Sequence, residues 1–192
     1  MWVRKAAIRP VPRHALLPAE AMESAEQWLA GEEDRGEYRV GEAFERFGQR
    51  QPELAQRVGR ALARSGDELA AALGYFVGAA LWLAFDDAFG DRLDRVTDTA
   101  AAGVEEALSL DEQLRGADPH EALETDDVVA MEQPHAVGFV RAHLENALGL
   151  HSDADVDALH AVYRLLLLEL LALSYAVREP AGLGGSSSEL CA

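Results

Sequence analysis

The chain predicts an all-α protein, a helical bundle of seven or eight helices, and three observations carry that expectation. Its 192 residues are 49% hydrophobic but only 7% aromatic, so most apolar volume comes from Ala, Leu and Val, and Ala and Leu favour helix. Isoleucine, a strand former, occurs once, at Ile8. Two long stretches, 69–85 without a single charge and 159–177 around Leu165, Leu166, Leu167 and Leu168, are apolar on every side. Helices of that kind need partners all round, which implies a deep helical core.

Residues 1–17 read as an extended basic arm. Arg4, Lys5, Arg9 and Arg13 face no acid over 1–14, so a net charge of -21 falls on the remainder of a chain whose total is -17. The arm can lie across the acidic body or a neighbouring subunit, although fraying is the plainer expectation for a terminus. A single all-helical domain, 18–179, follows, and the Gly/Ser-rich stretch 180–192 reads as a flexible tail.

Within the domain, a first helix starts after Pro18 and ends at Gly31, with Trp28 and Leu29 on one side. A second, over 38–49, puts Val40, Phe44 and Phe47 on one face by their spacing. Gln51-Pro52 is a corner. Proline at a first helical turn loses no hydrogen bond, and it pushes the residue before it out of helical geometry. The third helix therefore runs over 52–63. Ser65-Gly66-Asp67 closes it and caps the apolar helix, 67–89. Thr97 or Asp98 caps an amphipathic helix carrying Val104, Leu108 and Leu114.

After Asp118-Pro119 the pattern recurs. A short acidic helix over 121–131 leads to Gln133-Pro134 and a helix to about 148, stopped by Gly149. Ser152 or Asp153 then caps the Leu-rich helix, which reaches about Arg178. An offset of 82 residues aligns Glu42 with Glu124, Gln51 with Gln133, Pro52 with Pro134, Val58 with Val140 and Leu62 with Leu144. With a longer turn in the second copy, Tyr75 falls on Tyr163. The expectation is a duplication, 38–90 and 121–178, with the two long apolar helices packed centrally.

Composition excludes some partners. An acidic body repels nucleic acid and anionic membrane surfaces, so neither is expected. Cys191 is the only cysteine, which rules out a disulfide within the monomer and a Cys-based zinc site and fits a reducing cytoplasm. Pro10, Pro12 and Pro18 interrupt any apolar run after the N-terminal charges, so no secretory signal is expected. The stretch 69–85 would span about 26 Å as a helix, short of the roughly 30 Å hydrocarbon core, and acids flank both its ends. A buried core helix is expected rather than a membrane span.

Few residues suggest chemistry. Gly74 and Gly78 form a flat strip on the apolar helix, for close packing within the chain or across a dimer seam. Each costs about 0.8–1 kcal/mol of helix propensity, which close packing must offset. Glu169 has Leu165, Leu166, Ala172 and Leu173 as helical neighbours. Desolvation there would raise its pKa, as in a functional carboxylate; the plainer reading puts it at an oligomer rim, reaching water.

Glu132 and His135 have the Glu-x-x-His spacing of di-iron bundles, but Arg50 and Glu53 cannot supply the second pair and Pro134 puts the motif at a helix start. No bound metal or cofactor is expected. Asp86, Asp87, Asp91 and Asp94 read as a solvated acidic turn neutralised by Arg92 and Arg95. No nucleophile elbow, phosphate loop, dinucleotide fingerprint or zinc-protease motif is present.

The functional expectation is a non-catalytic protein-interaction or assembly module that self-associates, with a homodimer among its forms and any other protein partner unidentified. The rival is a metal-dependent or acid/base enzyme with a pocket lined by Glu169, His143 and His160. A third reading is an acidic regulatory or immunity-type partner.

Overall fold

The computed structural model describes residues 7–31, 36–116, 125–151 and 155–181. Among them are eight α-helices and no strand: α1 (Ala19–Ala30), α2 (Gly36–Arg50), α3 (Pro52–Leu62), α4 (Glu68–Phe89), α5 (Asp98–Gly116), α6 (Thr125–Glu132), α7 (Pro134–Leu150) and α8 (Val156–Ala176). Asp118-Pro119, residues 120–124, Ser152, Asp153, Cys191 and most of the tail lie outside the described residues.

Local chemistry sets the helix boundaries. α3 and α7 both begin on proline, after Gln51 and Gln133 in almost the same backbone geometry, φ -131° and ψ 62° against φ -137° and ψ 66°. The Asp67 carboxylate caps α4 by accepting from the Ala70 N–H at 2.6 Å, and Thr97 Oγ1 caps α5 by accepting from Ala100 at 3.1 Å. α8 is capped by Asp155, which accepts from Ala158 at 3.0 Å, and not by Ser152 or Asp153. α7 runs through Gly149 to Leu150; a glycine in the last turn weakens a helix without having to end it. α8 stops at Ala176 because the chain then pairs with another segment. Asp94 donates to the Ala176 carbonyl at 3.0 Å and Arg178 to the Arg92 carbonyl at 2.8 Å, around an antiparallel bridge between Leu93 and Val177.

α4 packs against α1, α2, α3, α7 and α8, and α8 packs also against α5 and α6. Trp82, Phe85, Leu81, Leu166, Leu170 and Leu171 are fully buried between these layers. The stretch Glu68–Arg92 has the length and hydropathy of a membrane span, and most of its apolar window is covered by the rest of the chain. α4 and α8 run side by side in parallel, since Gly74 lies against Val162 and Gly78 against Leu166. A Cβ at Gly74 would collide with Leu62 and come within 3.1 Å of Val162 Cγ1. Leu62 and α8 occupy the room these glycines leave.

The described part of the arm is docked, not frayed. Ile8, Val11, Ala15 and Leu17 are buried, and the backbone N–H groups of Ala7 and Val11 donate to Asp111 and Glu132. Burial of four apolar side chains, at roughly 25 cal/mol per Å² of apolar surface, offsets the entropy of ordering a segment whose only helical turn is the short 3-10 turn Arg13–Ala15.

Candidate functional site

The two Gln-Pro corners do more than turn the chain. Each glutamine is buried, and its amide grips an extended strap (15–17 or 94–96) at two points two residues apart. Gln51 Nε2 donates to the Asp94 carbonyl at 2.9 Å, and its Oε1 accepts from the Val96 N–H at 2.8 Å. Gln133 Nε2 donates to the Ala15 carbonyl at 2.8 Å, and its Oε1 accepts from the Leu17 N–H at 3.0 Å. Gln133 Nε2 donates in addition to Ser174 Oγ at 2.9 Å. The backbone bonds match at the 82-residue offset as well: Gln51 donates to Phe47 and Gln133 to Val129, while Ala55 and Val137 donate back to the two glutamines. An extended strap has no internal bonds, so the amides satisfy backbone groups that would otherwise be buried unpaired.

Beyond each corner stands a tyrosine. Tyr75 donates to the Gly59 carbonyl at 3.4 Å and packs edge-on to Phe44 with ring centroids 5.0 Å apart. Tyr163 donates to Asp126 at 3.0 Å and accepts from Arg141 Nε at 3.3 Å. Positions 44 and 126, and 59 and 141, share the same offset. Arg141 also pairs with Asp126 at 2.7 Å and Asp127 at 3.0 Å. Burial, against the bond from Arg141, pushes the Tyr163 phenol up to about 12; the bond to Tyr163, offset by burial, leaves the Arg141 guanidinium above its usual range. At the first tyrosine an apolar cavity of about 540 Å³ opens among Leu29, Val40, Phe44, Tyr75 and Phe76.

Glu169 does not reach water. It is fully buried against Gly78, with Oε2 3.0 Å from where a Cβ on that glycine would lie. Neither carboxyl oxygen has a hydrogen-bond partner, and Trp82 Nε1 is similarly buried without one. Desolvation holds the Glu169 pKa well above 4.5, so the group is neutral where an exposed glutamate would be charged.

The three side chains expected to line one pocket are not gathered. His143 sits edge-on to Phe139 with ring centroids 4.4 Å apart, and its Nε2 lies 3.1 Å from Glu26. His160 is exposed, nine residues and about 13 Å along α8 from Glu169. Among the described residues no three His, Cys, Asp or Glu side chains converge as metal ligands. In the acidic turn, Asp86 is mostly covered and pairs with Arg46 and Arg50 from α2, while Asp94 pairs with Arg178 at 3.0 Å. Arg92 instead lies over the Phe89 ring.

A second cavity, about 520 Å³, lies between the docked arm, the strap held by Gln51, α5 and the end of α8. No periodic pattern marked it, because two non-helical segments, α5 and the end of α8 meet there from distant parts of the chain. Searches of protein-family models, of curated proteins and of solved structures find no match to this chain.

Proposed function

We propose that the chain is a non-catalytic helical module, built from two pseudo-equivalent three-helix units around α4 and α8, that associates with a second copy of itself. The carrying observation is a group of uncovered apolar side chains at one end. α5 and α8 run antiparallel, since Arg164 bonds to Glu112 and Ser109 while Leu171 and Tyr175 share a cavity wall with Ala100 and Val104. Leu110 and Leu114 on α5 therefore lie toward the same end as Val156, and Leu148 and Leu150 close α7 a few residues before α8 begins. All five are exposed, Leu150 by 72% and Val156 by 63%. Burying them against a second copy would remove apolar area from water. The matched amide clamps and the equivalent tyrosine contacts support the duplication. The acidic balance supports protein rather than nucleic acid as the partner class, and the lone cysteine supports a cytoplasmic setting.

Mass photometry and sedimentation across a concentration series test the association. The wild type should populate a dimer, and the double variant Leu114→Glu with Leu150→Glu should be monomeric with an unchanged helical spectrum. A wild type that stays monomeric up to high micromolar concentration would refute the proposal.

The rival acid/base enzyme reading draws support from the raised pKa of Glu169. Its sealed position opposes that reading, since a general acid must reach the proton it moves. Rapid carbodiimide labelling of Glu169 in the folded protein would restore the rival; protection counts against it.

A further inference from the structure

The 520 Å³ cavity beside the arm has the size of a small-molecule site, for which about 300–1,000 Å³ is usual, and it combines an apolar floor with unpaired cations. Val96, Val104, Ala107, Leu171 and Ala172 supply the floor. Arg9, Arg95 and Arg178 stand at its walls, against one wall carboxylate, Asp94, which Arg178 already engages at 3.0 Å. Among the described residues neither Arg9 nor Arg95 has an ion-pair partner, and both are exposed. Nearby, Asp111 accepts from Ala7 and pairs with Arg115, and Glu132 accepts from Val11. A local excess of positive charge on a chain of net charge -17 is charge complementarity for an anion.

The fold builds this arrangement from several elements. Gln51 holds the Asp94 carbonyl and the Val96 N–H, which fixes the backbone on either side of Arg95, and Arg95 lines the cavity. The Leu93–Val177 bridge sets the strap beside the last turn of α8. There Tyr175 donates to the Arg9 carbonyl and carries the Arg9 guanidinium 4.1 Å above its ring. Arg9 and Arg95 thus reach the cavity from the arm and from the strap, Arg9 held by its own carbonyl and Arg95 through the bonds to its two chain neighbours.

We propose that this cavity binds a small amphiphile with an anionic head group, the head between Arg9 and Arg95 and the apolar chain over Val104, Leu171 and Ala172. The proposal holds whether or not the chain self-associates. A guanidinium pair suits carboxylate and phosphate heads alike, through charge-assisted hydrogen bonds, while the floor excludes a fully polar anion from gaining affinity by burial.

Calorimetric titration of the full chain tests it, with decanoate and decyl phosphate as probes and decanol and inorganic phosphate as controls. One saturable site is expected for at least one of the two amphiphiles, the preferred head telling a carboxylate source from a phosphate source, with each control at least about tenfold weaker. Arg95→Glu should weaken binding tenfold or more. Gly103 lines the cavity and a Cβ there meets nothing within 4 Å. Gly103→Leu should therefore fill the site and abolish binding while leaving the melting temperature equal or higher. Absence of binding by both amphiphiles, decanol binding as tightly, or unchanged binding by Gly103→Leu would overturn the proposal.

Discussion

The corner at Gln51 and the corner at Gln133 share backbone geometry, amide bonding and a following proline, yet the tyrosines beyond them stand in opposite chemistry. Tyr163 is tied to Asp126 and Arg141, whereas Tyr75 has Phe44 in the place of the aspartate and Gly59 in the place of the arginine. In one half polar groups close the space. In the other the rings of Phe44 and Tyr75 line a cavity of about 540 Å³. The corners serve the fold and tolerate little change, because each amide satisfies two backbone groups that bond to no other side chain among the described residues. The tyrosine surroundings only have to be internally consistent, all polar and paired or all apolar, so they are free to differ.

The largest predicted effects come from the clamps. Gln133→Ala loses three hydrogen bonds and Gln51→Ala loses two, and orphaning a buried group costs about 1–3 kcal/mol. Urea unfolding should give a loss of about 4 kcal/mol for Gln133→Ala and about 2–3 kcal/mol for Gln51→Ala. Equal losses would mean that the bond to Ser174 adds nothing.

A smaller effect, with a distinctive pH signature, belongs to Glu169. Its folded pKa is raised by burial, so the folded state holds the proton more tightly than the unfolded one. The associated stability is complete below about 4.5, the ordinary value, and is lost as pH rises toward the folded pKa. Thermal melts should show the wild type falling behind Glu169→Gln as pH increases. By pH 8 the gap should exceed about 3 °C, the shift roughly 1 kcal/mol makes in a chain of this size. Parallel curves for the two proteins would show that Glu169 is solvated.

The smallest effects compare the tyrosines. Tyr163→Phe breaks bonds to a carboxylate and a guanidinium and should cost about 1–1.5 kcal/mol. Tyr75→Phe gives up one long bond to Gly59 and should cost less than about 0.5 kcal/mol in the same unfolding assay. A reversed order would break the comparison.

The helices were legible in the sequence because their signals are local: proline at the first turn of α3 and α7, Asp67 before α4, an uncharged run in α4 and a Leu-rich one in α8. The α8 cap was displaced because several polar residues precede that helix and only geometry selects Asp155. Burial of Glu169 was hidden for a different reason. Its apolar helical neighbours fit either a sealed seam or an oligomer rim, and the choice depends on Gly78 of a distant helix. The glutamines stood out as corner residues, but the straps they hold, 15–17 and 94–96, are not helical neighbours and carry no periodicity. The cavity beside Arg95 was illegible for the same reason.

Hydrogen exchange at the backbone amides of Leu17 and Val96 tests the paired clamps most directly. Both amides should be strongly protected in the wild type. Gln133→Ala should release Leu17 and spare Val96, and Gln51→Ala should do the opposite. Exchange of both amides at the unprotected rate in the wild type, or release of both by either substitution, would contradict two equivalent and independent clamps.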